Sequence, residues 1–415
     1  MDILILSNAP GELVTWVYPM LRQITSRSAE FPQPVRVSVV LSPCSNASGK
    51  EAAIAQGIPG IDRVLPPEQF WQFLLWGKSG GKSAWDWQKV GIIIFLGGDQ
   101  IYPVAIGKRL GYPTLIYAEW EARWEGWIDG FALRNDQVKI SPKYQAKALV
   151  VGDLMVDRAI SAVETSTKTI KIAFLPGSKS MKLAQGVPLS LAIADLLEKD
   201  FKEKQIPLEL AIMLAPTLTA NQLAIYAQDT NPVIQLVQGT TGILEQQDQT
   251  HFLRTPQGTL VKIYTEFPSD RYLKQCTLCV TTVGANTAEL GALGIPMIVL
   301  LPTNQIEAMR SWDGLLGIMV NLPGVGDLLA KLVNQWMVGR LGLLAWPNIW
   351  AGQEIVPELR GLLTPTLVTE KIFTLLEQPE ELQTMRDRLQ ATCGKPGAAD
   401  KIVDLALELL KDKVK

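Results

Sequence analysis

Leu278-Cys-Val-Thr-Thr-Val-Gly-Ala-Asn-Thr-Ala-Glu-Leu-Gly-Ala-Leu-Gly-Ile-Pro-Met-Ile-Val-Leu300 is the stretch that decides the fold. It opens with a short apolar run, turns at Gly284, continues with residues that suit a short helix from about Ala285, and closes on a second apolar run at Pro296-Met-Ile-Val-Leu300. Strand, turn, helix and strand in so short a space make a βαβ unit, and such a crossover commits the sheet to parallel pairing.

The pattern repeats outward from this unit. Ile170-Lys-Ile-Ala-Phe-Leu175 reads as a strand, Pro176-Gly-Ser-Lys179 as a tight loop, residues 188–201 as a helix and residues 208–214 as the next strand. The first half opens the same way. Residues 3–7 form a buried strand, followed by Asn8-Ala-Pro-Gly-Glu12 and a helical run to about Ser26. Residues 35–42 read as a second strand. Gly91-Ile-Ile-Ile-Phe-Leu96 reads as a third and ends at Gly97-Gly98-Asp99; a helix follows to Leu110, and Pro113-Thr-Leu-Ile-Tyr117 is the next strand. Glu164-Thr-Ser-Thr-Lys-Thr169 is small, polar and without period, so it reads as a linker. Residues 367–376, 380–392 and 398–413 read as amphipathic helices. The expected fold is therefore α/β with two Rossmann-like domains facing each other across a cleft. Residues 1–165 form the first and 170–378 the second, and residues 379–415 form helices that pack back across them. Ligands of such sheets bind at the carboxyl ends of the strands.

Length and composition agree with this division. The chain has 415 residues, 47% hydrophobic and 19% charged, which is too long for one ordinary core. Its net charge of −2 supplies no basic field for nucleic acid. The four cysteines are Cys44, Cys276, Cys279 and Cys393. Cys276 and Cys279 form a lone C-x-x-C, but zinc needs two more ligands and the only histidine is His251, so no metal or redox cofactor is expected. The chain shows no basic n-region with a signal-peptide cleavage pattern, and no stretch approaches the roughly 20 apolar residues that span a bilayer. The expectation is a cytoplasmic protein. Twelve tryptophans and a mean hydropathy of +0.14 are nevertheless high for a plain soluble enzyme.

Several loops can carry chemistry. A helix starting near Ala285 presents free N–H groups, at Gly284, Ala285, Asn286 and Thr287, that fit a diphosphate without a metal. Glu289, about one turn in, either takes a ribose hydroxyl or offsets the dipole. Gly177, Ser178 and Lys179 either hold phosphate or form an ordinary turn. In Asn348-Ile-Trp-Ala-Gly-Gln-Glu-Ile-Val-Pro-Glu358, the side chains of Gln353, Glu354 and Glu358 fall at spacings that allow one helix face; the alternative is a solvated helix start. Asp99 and Glu12 sit just past the ends of two buried strands, and either can serve as general base. His251 lies in a polar, loop-like stretch, which makes a carboxylate the better candidate. Asp99 can equally cap a helix. Gly77-Lys-Ser-Gly-Gly-Lys-Ser83 mimics a phosphate loop but fails, because Trp76 stands where glycine is required and no strand leads into it.

Taken in order, these segments resemble lipid-A-disaccharide synthase, a glycosyltransferase family of the GT-B fold. The resemblance rests on Leu175-Pro-Gly-Ser-Lys179, Val283-Gly-Ala-Asn-Thr-Ala-Glu-Leu290 and Asn348-Ile-Trp-Ala-Gly-Gln-Glu-Ile-Val-Pro-Glu-Leu359. It also rests on Val151-Gly-Asp-Leu-Met-Val-Asp157, Gly11-Glu12 and Gly98-Asp99. It runs over nearly the whole chain. Lys179 replaces the family's usual Arg, Asp153 its His, and the segments after Asp99 and Tyr117 diverge, so the chain looks like a related branch. The resemblance implies an inverting, metal-independent transfer of an N-acylglucosamine-type sugar from UDP to a lipid or glycolipid acceptor. It implies UDP at Ser178, Lys179, Gly284 to Asn286 and Glu289, with Asn348, Gln353 and Glu354 also on the donor side. Asp99 would be the base, with Glu12 near it. The rival readings are a non-catalytic UDP-sugar-binding protein, a UDP-sugar 2-epimerase and a transferase with a soluble acceptor. Two stretches suit a membrane surface, a core or a homodimer contact: Phe70-Trp-Gln-Phe-Leu-Leu-Trp76 continuing to Trp85 and Trp87 beside Lys78 and Lys82, and residues 312–346.

Overall fold

The computed structural model describes residues 1–44, 49–77, 85–158, 169–302 and 342–414. Most of the expected linker, the false phosphate loop, Lys78, Lys82 and most of residues 312–346 lie outside the described residues. The chain divides into two compact units, Met1–Ala159 with Gly394–Lys415, and Ile160–Cys393.

The first unit is built on seven strands: β1 (Asp2–Ser7), β2 (Arg36–Leu41), β3 (Arg63–Leu65), β4 (Gly91–Phe95), β5 (Thr114–Ala118), β6 (Gly130–Leu133) and β7 (Ala148–Val150). Their order is β3-β2-β1-β4-β5-β6-β7, with every pairing parallel. Side chains alternate across a strand. Ile3 and Ile5 accordingly enter a core beneath the helix Tyr18–Ser26 and the C-terminal helix Ala398–Val414. Leu4 and Leu6 enter the opposite core with Phe70, Phe73 and Ile106. Asp157 accepts from the N–H of Gly397, just before that last helix, and from the N–H of Ala399 in its first turn, which fixes the helix start.

The second unit carries β8 (Ile170–Leu175), β9 (Leu208–Met213), β10 (Ile243–Gln247), β11 (Thr250–Arg254), β12 (Leu260–Tyr264), β13 (Leu278–Thr282), β14 (Met297–Pro302) and β15 (Glu358–Gly361). Their order is β10-β11-β12-β9-β8-β13-β14-β15. The β10–β11 and β11–β12 pairs are antiparallel and the rest parallel.

Four expectations change. His251 is not in a loop: it lies on β11 opposite Gln246 and Ile263. The helix after Lys179 starts at Ser180, not near Pro188, and runs to Glu203 with the proline inside it. Pro188 has no N–H to give the Ala184 carbonyl one turn back, and Asn231 Nδ2 takes that place at 2.8 Å. The helix before Gln353 ends at Ala351, because Gly352 adopts φ +65° and terminates it. Gln353 and Glu354 therefore lie on a loop and Glu358 on β15, so the three do not share a helix face. Lastly, the run after Glu12 is not one regular helix. A five-residue π-turn, Leu13–Val17, separates Pro10–Glu12 from Tyr18–Ser26.

Candidate functional site

Each sheet has a point where adjacent parallel strands are followed by connections to opposite sides, between β1 and β4 in the first unit and between β8 and β13 in the second. At such a point the loops leaving adjacent strands part in opposite directions and open a crevice at the carboxyl edge. The candidate residues gather at these two edges.

In the second unit, the β8–β13 edge brings together residues 176–179 and residues 283–286. Gly177 takes φ +96° and Gly284 φ +143°, conformations that L side chains rarely adopt. Gly284 caps the helix Ala285–Ala292, and Lys179 caps the helix Ser180–Glu203. Neither helix has an acidic residue in its first turn. Asn286 Nδ2 donates to the Leu175 carbonyl at 3.5 Å, tying the two strand ends together. Thr287 is buried. Its hydroxyl donates to the Gly284 carbonyl at 2.8 Å and accepts from Trp346 N–H at 3.1 Å, so it holds the turn's shape. Ser178, Lys179 and Ala285 are exposed, and Glu289 is half-buried in the same short helix.

Lys182 carries no motif signal in the sequence. It lies three residues into the helix Ser180–Glu203, and its Nζ donates to the Val283 carbonyl at 2.5 Å, bridging the two loops. Burial holds its ammonium below the ordinary lysine value, and the charge of Lys179 adds to the effect.

Asn348, on the helix Trp346–Ala351 whose first N–H reaches Thr287, is fully buried. Its Nδ2 donates to the Val356 carbonyl and to Glu358 Oε1, and its Oδ1 accepts from the N–H groups of Ile355 and Val356. Every hydrogen bond its side chain can make is thus used between its helix, the loop that follows and the start of β15. Burial would raise the Glu358 carboxyl, but the Ala345 and Leu344 N–H groups, Asn348 and Arg360 hold it below its usual value. Gln353 and Glu354 are exposed. Cys276 and Cys279 are buried thiols before and within β13.

In the first unit, Glu12 follows β1 and Asp99 follows β4. The Glu12 carboxylate lies against Gly97, where a β-carbon would stand 1.8 Å from Oε2. Oε2 accepts from Ser7 Oγ at 3.2 Å and from Asn8 N–H at 3.1 Å. Burial pushes the Glu12 carboxyl up to about 7 despite these donors, and the charge of Glu119 pushes the same way. Asp99 Oδ1 accepts from Ile101 N–H at 3.0 Å, at the start of the helix Ile101–Leu110. Two buried polar atoms at this edge, Asn8 Oδ1 and Ser42 Oγ, have no hydrogen-bond partner among the described residues. Arg134 pairs with Asp153 at 2.8 Å and with Glu119 at 3.4 Å, so the three form a charged cluster in the segments after β5, β6 and β7. Glu119 and Arg134 were not singled out in the sequence, which offers only a divergent segment there.

The α/β architecture with two Rossmann-like units is that of the GT-B class. The wall teichoic acid polymerase TagF superposes with a TM-score of 0.50 at 9% identity, over 100% of this chain and 90% of that one. The UDP-GlcNAc 2-epimerase from Neisseria meningitidis, bound to UDP-GlcNAc, gives 0.48 at 12% identity over 98% and 100%. In sequence, the chain is similar to the lipid-A-disaccharide synthase of Syntrophus aciditrophicus (strain SB), with 25% identity over 248 residues. That match covers 58% of this chain and 49% of the relative, so the chain spans about half the length of the curated protein it matches. No protein-family model matches the chain. A shared fold does not fix a reaction, so the reaction must be argued from the site.

Proposed function

We propose that the chain is a glycosyltransferase that moves an N-acylglucosamine-type sugar from a UDP-sugar to a lipid or glycolipid acceptor, with inversion and without a metal ion, on the cytoplasmic side of a membrane. The observation that carries the reading is the β8–β13 edge, where two glycine loops and two helix starts without acidic residues converge at one point. Such an edge is complementary to a diphosphate. The likeness to lipid-A-disaccharide synthase supports the choice of donor and acceptor classes. The second unit binds the donor and the first the acceptor. Glu12 takes the acceptor's hydroxyl proton as the acceptor oxygen bonds to the anomeric carbon. The bond from that carbon to the β-phosphate oxygen breaks, and its electron pair leaves with UDP. We assign the base to Glu12, whose proton affinity near neutrality suits the task. The outer face of the helix Phe70–Trp76 serves as the membrane contact.

Calorimetry with UDP, with and without chelator, tests the donor site, and a requirement for a divalent ion would remove the metal-free reading. Incubating a labelled UDP-sugar with lipid extract tests transfer. Turnover of the UDP-sugar without an acceptor would favour an epimerase, and binding without any turnover a sugar-nucleotide-binding protein.

A further inference from the structure

We propose that Lys182 is the residue that grips the diphosphate, and that it leaves the Val283 carbonyl when the ligand arrives. The proposal rests on the reading of the β8–β13 edge as the UDP-sugar site. It concerns a side chain that neither the family resemblance nor the motif spacing assigned.

Three observations carry it. First, the Lys182 side chain lies where the two loops approach each other. An added β-carbon at Gly177 would stand 3.2 Å from Lys182 Cδ, and one at Gly284 3.2 Å from its Nζ. The two glycines thus leave open the space that the ammonium occupies and could move through. Second, an ammonium has three donors, and one engages Val283. Among the described residues no carboxylate forms an ion pair with Lys182. The charge of Lys179, which has the same sign, acts on it. Third, the position is electrostatically adverse. Lys179 caps the 24-residue helix Ser180–Glu203 and Lys182 is its third residue, while cations are favoured at the opposite end of a helix. A half-buried cation with no counter-charge among the described residues, beside a like charge and a helix start, is complementary to an anion and not to a neutral sugar hydroxyl. The spread of positive charge over both loops suits a ligand with more than one negative oxygen.

Binding of that anion raises the proton affinity of Lys182, so ligand binding draws a proton from solution once the free lysine has begun to lose its own. This gives a pH signature that a packing role would not produce.

The test titrates UDP and inorganic pyrophosphate separately into the full chain, as wild type, Lys182→Gln and Lys182→Arg, with the melting temperature of each unliganded variant as a control for folding. Lys182→Gln should bind both ligands on the order of 10–100-fold more weakly, the range expected when a charged hydrogen bond is lost, and Lys182→Arg should recover most of the affinity. Wild-type affinity should decline with rising pH before the ordinary lysine range is reached, while the arginine variant stays flat. If Lys182→Gln melts like wild type and binds both ligands as tightly, the proposal is overturned. Should Lys182→Gln fail to fold, the arginine variant and the pH profile decide: equal decline in wild type and Lys182→Arg overturns it. A wild type that binds pyrophosphate but not UDP, with the expected response to substitution, keeps Lys182 as an anion ligand and removes the UDP reading. A wild type that binds neither overturns both.

Discussion

Glu12 and Asp99 are the same kind of residue at the ends of neighbouring strands, and the difference between them is environmental. Glu12 is pressed against Gly97 with Asn8 and Ser7 as donors, and burial lifts its carboxyl to about 7. The turnover rate should therefore rise with pH through about 7 as Glu12 loses its proton. Glu12→Gln should lower turnover by about 10²–10⁴ and abolish that limb of the pH profile; a variant within threefold of wild type would remove Glu12 from the mechanism. The stability consequence has a definite sign. A carboxyl with a raised folded-state value makes the folded chain bind more protons than the unfolded chain between about 4.5 and 7. Stability falls as pH rises through that window. Glu12→Gln should consequently raise the melting temperature at pH 8 but not at pH 4. The strand-end positions of both carboxylates were legible in the sequence, because a buried apolar run announces its own end. The shift of Glu12 was not, since Gly97 is 85 residues away and becomes its neighbour only through the β1–β4 pairing. Lys182 is not legible in the same way, because Pro188 argues for a helix start and leaves the lysine in a loop without direction.

Pro188 shows the same limit at the level of the helix. An interior proline costs a helix roughly 3 kcal/mol, which is why the sequence argues for a boundary there. The chain keeps the helix by supplying the missing donor from elsewhere: Asn231 bonds the Ala184 carbonyl at 2.8 Å, and its Oδ1 accepts from Val233 N–H at 3.1 Å. Thr240 N–H also donates to the Pro188 carbonyl at 3.1 Å. Asn231→Ala should destabilise the chain by about 1–3 kcal/mol. In a Pro188→Ala background the helix regains its own donor, so the cost of Asn231→Ala should shrink by about 1 kcal/mol in a double-mutant cycle followed by denaturant unfolding. Additive costs would mean that the Ala184 carbonyl does not need Asn231. The long parallel strands were visible in the sequence as apolar runs. β3 and β7 were not, having three residues each, and neither were β10 and β11, whose polar residues suit a sheet edge.

At the scale of the whole molecule, the recurrence of strand, glycine loop and helix announced two α/β units. The exposed aromatic surface of the first was only partly legible. Phe70 and Phe73 are core residues. Trp85 and Trp87 pack on Phe73 at ring-centroid distances of 6.4 and 6.0 Å, with the Arg63 guanidinium 4.6 and 4.9 Å from their rings. What remains outward is Trp71, Leu75 and Trp76, at 50%, 61% and 67% exposure, so the candidate membrane contact narrows to one helical face. Trp120, Trp124 and Trp127, after β5, are also exposed. No helix among the described residues is long and apolar enough to cross a membrane. Sedimentation with anionic liposomes at low salt should pellet the wild type and leave the Trp71→Ser, Leu75→Ser, Trp76→Ser variant in solution. Equal behaviour of the two would discard this face.

The return of Ala398–Val414 to the first unit carries a consequence for synthesis. Ile402, Val403, Ala406 and Leu410 complete the core that Ile3 and Ile5 begin, yet they leave the ribosome only after all of residues 160–393 have emerged. Vectorial synthesis ordinarily lets the leading domain finish first. Here the interrupted leading unit must wait with an apolar face uncovered while the inserted one matures, which is the interval when a chaperone would be of most use to it.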